Sequence, residues 1–187
     1  TTSILGQQLL LNQLENNASQ SLYKEANVMA TTYLPSYFSN NMTSWSVHSQ
    51  LSAMKIYLEA TLWFVEEDGT LITSSNLGTA TAPAMIEDFD PAEIGNSQYI
   101  VGRYHGYFDE DVITIMAPVI QGFQTEGYLL IHKPVSTLEE TCTQLMTTVH
   151  IILGAVYVLA FLILIGFHFF VFRPLRKITE AATQYAS

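Results

Sequence analysis

Arg103 is the one arginine ahead of residue 173, and it sits in a run with Tyr104, His105 and Tyr107, V-G-R-Y-H-G-Y-F. A guanidinium offers a planar fork of donors that grips a carboxylate in bidentate fashion, and the neighbouring aromatic rings would supply apolar walls. The same arginine could instead form a structural ion pair with one of 16 acids in residues 1–150, or lie exposed on a strand face. Strict alternation along a strand puts Arg103 and His105 on one face and Tyr104 on the other, so the four residues line one pocket only if a bulge intervenes.

Two acidic groups have the residue types for a divalent cation. Glu87, Asp88, Asp90 and Glu93 form the first, and Asp109, Glu110 and Asp111 the second. Carboxylates at short spacing suit Ca²⁺ or Mg²⁺, yet neither group has the Gly-containing twelve-residue loop of a dedicated calcium site, so solvated loop charge is the competing reading. His48, His105, His132 and His150 are scattered, without the i, i+4 spacing of a helical zinc motif. No phosphate-cradling glycine loop, nucleophile elbow or zinc box is present, so the chain carries no active site that sequence can recognise.

The elements that must position these residues follow from periodicity. The chain has 187 residues, of which only 13% are charged, about half the usual fraction. The shortfall is local: Ile151 to Phe172 contains no Asp, Glu, Lys or Arg. Those 22 residues span roughly 33 Å as a helix, enough for a bilayer core of about 30 Å. Residues 1–150 carry 16 acids and 4 bases, whereas Arg173, Arg176 and Lys177 follow the apolar run against Glu180 alone. The positive-inside rule then predicts residues 1–150 outside the cell membrane and 173–187 in the cytoplasm. An acidic ectodomain argues against nucleic acid as a partner. The single cysteine, Cys142, excludes an intrachain disulfide.

Residues 4–38 read as a long helix with Leu11, Leu14, Ala18, Leu22, Ala26, Met29 and Tyr33 on one face, ended or kinked by Pro35. A polar turn over 39–44 leads to a second helix over 46–59. Asp68-Gly69, between two strand-like runs, predicts a hairpin. Residues 76–97 read as loop with one or two helical turns, Asp90-Pro91 opening the second. Three more strands are expected at 98–108, 112–119 and 127–133, antiparallel because their links are short. Pro134 starts the last helix, with Ser136 as N-cap and Glu139 as its capping-box partner. Its seam of Leu138, Cys142, Leu145 and Val149 runs at heptad-like spacing into the apolar run, a candidate dimer seam in which two copies of Cys142 could meet or stay as packed thiols.

This order predicts an α+β domain: long N-terminal helices packed on one face of a five-stranded antiparallel sheet, and a C-terminal helix continuing into a single transmembrane helix. The organisation is an N-terminal helical region over 1–45, an α+β core over 46–135, a membrane-proximal helix over 136–150, the span over 151–172 and a basic segment over 173–187. The chain lacks an initiator Met, and 150 external residues need a segment to carry them across. A first transmembrane helix is therefore expected upstream and an output module downstream, the chain being the middle of a longer receptor.

Two segments carry a resemblance: FVEEDGTLITSS (64–75), and ITIMAPVIQGFQTEGYLLIHKPVSTLEE (113–140), with Ala117-Pro118-Val119, Gly127 and Pro134 at its characteristic points. In their order and spacing the ectodomain resembles the extracytoplasmic PAS-like sensor fold, the Cache or PDC type, of bacterial receptors. The resemblance covers about residues 60–140. It implies a ligand over the sheet face, held by an arginine and aromatics such as Arg103, Tyr104, His105 and Tyr107; some relatives read divalent cations instead. Arg173, Pro174 and Leu175, followed by Ile178, Ala182 and Tyr185 at heptad spacing, resemble the first helix of a HAMP linker. That implies a homodimer, and most closely a sensor histidine kinase of a two-component system. ATP and Mg²⁺ then belong to a kinase domain outside this chain, which would signal to a response regulator, and this chain itself holds no cofactor. A methyl-accepting chemotaxis receptor is the alternative output, and a membrane-anchored ectodomain acting as an enzyme or structural protein is the alternative from another class. The ligand, small molecule or ion, is not named by the sequence.

Overall fold

The computed structural model describes residues 2–76, 82–95 and 99–169. The chain divides into two compact units, Thr1–Cys142 and Thr143–Ser187. The first holds helices α1 (Thr2–Thr32), α2 (Pro35–Phe38), α3 (Ser44–Leu58) and α4 (Pro91–Gly95). Its strands are β1 (Thr61–Glu66), β2 (Leu71–Ser74), β3 (Ile100–Gly102), β4 (Val112–Gln121) and β5 (Gln124–Pro134). Helix α5 (Val135–Phe167) begins in the first unit and forms the described part of the second.

Helix α1 has the expected inner face in Leu22, Ala26 and Met29, but Tyr33 turns out to solvent and Ala30 and Leu34 take the buried positions. The cause is Pro35. Its ring cannot continue the helix, so Tyr33 and Leu34 both donate from their backbone N–H to the Met29 carbonyl at 3.1 Å, and Pro35 opens α2 at the position where its missing N–H costs nothing. Thr43 caps α3 by accepting the Ser46 N–H at 3.3 Å, and Val47, Leu51 and Leu58 face inward.

The five strands form one antiparallel sheet in the order β2-β1-β5-β4-β3. The Asp68-Gly69 hairpin forms as the sequence predicts. The Asp68 carboxylate accepts the Thr70 N–H at 2.8 Å, and Gly69 has φ +87 with the Phe89 side chain pressed against it. The φ strains any other residue there, and the Phe89 contact leaves no room for a Cβ.

The segment expected to be a strand over 98–108 is extended only from Ile100 to Gly102. Tyr104, His105 and Gly106 all have positive φ, and Gly106 and Phe108 donate back to the Arg103 carbonyl at 3.0 and 3.4 Å. A turn, not a ladder, satisfies those amides. The β4–β5 link is shorter than the expected 120–126. It closes on Gly122-Phe123, both with positive φ as tight two-residue hairpins require, so both strands run longer than their apolar cores suggested.

The expectation of one buried sheet face needs enlarging, because part of the second face is covered as well. Leu62, Phe64, Ile113, Ile115, Ala117, Val119, Leu129 and Ile131 pack on α1 and α3 in one core. Trp63, Val65, Val112, Met116 and Leu130 alternate onto the other face, where Ile86, Ile94 and Tyr104 cover them. Residues 82–95 and 104–108 therefore make a further layer.

β5 passes into α5 with no linker. Val135 starts the helix and its N–H is held by the Asp111 carbonyl at 2.9 Å, while the Thr137 hydroxyl donates to the Pro134 carbonyl at 2.6 Å. Ser136 is thus the second residue of α5 and not its N-cap. Among the described residues α5 is the one helix long and apolar enough, by length and composition, to cross a membrane.

Candidate functional site

The second sheet face is built from rows fixed by strand register. Val65 and Pro118 flank Tyr128; Trp63 and Met116 flank Leu130; Thr61 and Thr114 flank His132. Period-two alternation puts all nine on one side. Two different environments lie above them.

Over the Trp63 and His132 end the face is closed. His132 is fully buried and its ring centroid lies 4.4 Å from that of Trp63. Phe108 stacks on Trp63 at 5.4 Å and lies 4.8 Å from His132, and Tyr104 lies 4.9 Å from His132. The His132 Nδ1 shares a 2.9 Å hydrogen bond with the Thr114 hydroxyl. Its Nε2 and the Trp63 indole N–H are both buried without a partner. Burial pulls the His132 pKa down to about 3, so the ring is neutral. Tyr104 is pushed up by its own burial, with smaller contributions from Glu93 and Tyr107, and keeps its proton. Two tethers hold the covering segment: His105 Nε2 lies 3.3 Å from a Glu93 carboxylate oxygen, and the Tyr107 hydroxyl accepts the Glu87 N–H at 3.2 Å.

Over the Met116, Pro118 and Tyr128 end the face is open. β3 pairs only with residues 112–114 of β4, which leaves the rest of that edge for α1. A cleft of about 610 Å³ lies there. α1 supplies Ser19, Gln20 and Tyr23, and α4 supplies Pro91, Ala92 and Ile94. Ile94 and Met116 belong both to this cleft and to the aromatic-rich core beside it, so the two halves share walls. Tyr128 packs edge-on against Phe89 at 5.6 Å. Its hydroxyl pKa is raised by burial and then by Glu67, which keeps it a donor.

The residues singled out from sequence are partly dispersed. Tyr104 and Tyr107 reach the sheet face, His105 turns to Glu93, and Arg103 is exposed on the turn. The assumed alternation fails because this segment is not a strand. The acidic group does not assemble. Asp90 accepts the Ala92 N–H at 2.8 Å at the start of α4, Glu93 is engaged by His105, and Asp88 sits at φ +51 in the preceding turn next to Glu87. Among the described residues no three or more His, Cys, Asp or Glu side chains are placed to hold a metal ion. The seam divides as well. Leu138 and Cys142 are buried within the chain, the Cys142 thiol 3.9 Å from the Gln7 carbonyl of α1, whereas Leu145 and Val149 are exposed. Arg173, Pro174, Leu175 and Ile178 lie outside the described residues.

Sequence reasoning did not pick out Trp63, Thr114, His132, Met116 or the α1 residues of the cleft. A signal existed for the first three. They are indole, hydroxyl and imidazole groups in otherwise apolar strands, and alternation sets them apart from Leu62, Phe64, Ile113, Ile115 and Ile131. The α1 contribution had none, because it depends on how far β3 runs along β4.

No protein-family model matches the chain, and no curated protein matches it in sequence. Solved structures do match in fold. The sensor domain of the V. cholerae histidine kinase DctB aligns with a TM-score of 0.50 at 15% identity, over 74% of this chain and 58% of that one. The sensory domain of the Campylobacter jejuni chemoreceptor Tlp3 (CcmL) aligns at 0.42 and 15% identity, over 73% and 62%. The ligand-binding domain of Tlp3 in complex with L-valine aligns at 0.43 and 16%, over 75% and 63%. The chain thus spans about 58% of the length of the DctB sensor domain. Its helices and five-stranded antiparallel sheet have the PAS-like fold of that sensor domain.

Proposed function

We propose that this chain is the extracytoplasmic sensor and membrane-crossing signalling region of a bacterial two-component sensor histidine kinase. The observation that carries the reading is the passage of β5, the central strand of a PAS-like sheet, directly into a helix apolar enough to span a membrane. A small molecule bound over the sheet would favour one packing of the covering residues 82–95 and 104–108 and of α1, and a shift in that equilibrium would reach the membrane through the first turn of α5. Residues 1–150 lie outside, the apolar run crosses, and Arg173, Pro174, Leu175 and Ile178 open a HAMP-type linker on the cytoplasmic side. The receptor is a homodimer. ATP and Mg²⁺ act in a kinase part beyond residue 187, which passes phosphate to a response regulator, and no residue of this chain is assigned to them.

The coding sequence that follows Ser187 tests the proposal. A second linker helix, a dimerisation helix with a phosphoaccepting histidine and an ATP-binding domain are expected. A long heptad coiled coil without ATP-binding motifs would make the chain part of a chemotaxis receptor and remove the kinase assignment. A soluble catalytic domain in place of either would remove the receptor reading.

A further inference from the structure

The charges of the domain limit what the open cleft can hold, and this step rests on the proposed sensing role. The cleft volume of about 610 Å³ falls within the range of about 300–1,000 Å³ typical of small-molecule pockets. Among the described residues its lining contains no Asp, Glu, Lys, Arg or His. The polar side chains that the described residues offer there are the Ser19 hydroxyl, the Gln20 amide and the phenols of Tyr23 and Tyr128.

A carboxylate in this cleft would need a cation, and residues 1–150 have only four lysines and arginines. Lys133 is held by the Leu58 carbonyl at 2.8 Å and by Glu59 at 3.7 Å. Lys55 donates to the Asn76 side chain. Arg103 is exposed on the β3–β4 turn, and Lys24 is exposed on α1 one helical turn beyond Gln20, outside the lining. On the far side, Tyr128 also borders a surface hollow that includes Glu67 and Glu126, whose charges repel an anion. Taking a carboxylate out of water without a paired cation is strongly unfavourable.

We infer that the cleft between α1, α4 and the Met116–Pro118–Tyr128 end of the sheet binds an uncharged small molecule, an apolar ring or short chain with one or two hydrogen-bonding groups, and rejects free amino acids and dicarboxylates. Ser19 already donates to the Asn16 carbonyl at 2.9 Å, so its oxygen is left to accept from a ligand. The Tyr128 phenol stays protonated and can donate. The Gln20 amide can do either.

Thermal melting and calorimetric titration of the whole 187-residue chain in lipid nanodiscs test this, with indole and benzyl alcohol as neutral probes and succinate and L-valine as charged ones. Saturable stabilisation by at least one neutral probe and none by the charged pair is expected. Ala92→Trp, a change at an exposed rim position, should weaken neutral-probe binding at least tenfold without lowering the melting temperature of the free protein. Lys24→Met should leave it within twofold. Binding of succinate or L-valine that disappears in Lys24→Met would overturn the ligand class while leaving the sensor site in place. Neutral-probe binding untouched by Ala92→Trp would overturn the location. Absence of saturable binding by all four would overturn this inference, and the sensor reading would then rest on the coding sequence that follows Ser187.

Discussion

His132 is held neutral in a dry aromatic cage, and that makes acid a destabiliser of the sensor unit. The folded value is pulled to about 3 against 6.5 for the free side chain. Between those values the unfolded chain binds a proton that the folded chain refuses. The stabilising contribution is therefore complete above pH 6.5 and falls away as the pH drops, at about 1 kcal/mol per pH unit. Asp68 acts in a lower window. The hydrogen bond from the Thr70 N–H lowers its pKa from 3.8, so its contribution is lost only in stronger acid. Denaturant unfolding at pH 7.5 and 5 should show a loss of about 2 kcal/mol from His132, and His132→Phe should lose much less over that interval. The variant will also start about 1 kcal/mol lower, because Thr114 loses its partner. Equal pH sensitivity in the two proteins would mean that the folded protein accepts the proton after all. None of this was legible when His132 was one of several scattered histidines. Its neighbours come from register with Thr114 and from a turn 24 or more residues away in sequence, and a chain read in order contains neither.

Among the elements, the readable ones carry their cause in adjacent residues. Pro35, three residues past Thr32, ends α1, and Asp68-Gly69 folds its hairpin through one side-chain hydrogen bond and one positive φ. β3 was overextended because its end depends on left-handed backbone at Tyr104 and His105, residue types that give no such signal. Phe123 hid the β4–β5 turn for the same reason. Two glycines separate conformation from space. Gly106 has φ +77 with nothing within 4 Å of an added Cβ, so alanine there is a backbone penalty alone, about 1 kcal/mol. At Gly127 a Cβ would strike the Val65 carbonyl oxygen and crowd the Phe38 ring. Gly127→Ala should cost about 3 kcal/mol, because relieving the collision means parting β1 from β5 where Glu66 pairs with Gly127. Denaturation midpoints of the two variants measure the difference; a Gly127→Ala protein no less stable than Gly106→Ala would show that β1 and β5 can separate at little cost.

At the scale of the whole molecule, the α+β class and the antiparallel pairing of five strands could be read from period and link length, and so could a membrane-spanning candidate. The second layer, residues 82–95 and 104–108, could not, since its packing comes from aromatic residues whose partners are set by register. Helix α5 shows the same division. Its apolar seam reads as one stripe in sequence, yet Leu138 and Cys142 are used inside their own chain, against the core and against α1, while Leu145 and Val149 remain exposed. A homodimer seam can draw only on the exposed pair without opening the domain. This sets an order for cysteine cross-linking in membranes. In a Cys142→Ser background, cysteines placed at 145 and 149 should form disulfide-linked dimers under mild oxidation, whereas Leu138→Cys and the native Cys142 should form few. A stimulus that alters output should change the yields at 145 and 149 in opposite senses if α5 rotates, and in the same sense if the two helices separate. Efficient cross-linking through native Cys142 would place the α1 contact outside the signalling state and return the seam to the full heptad pattern.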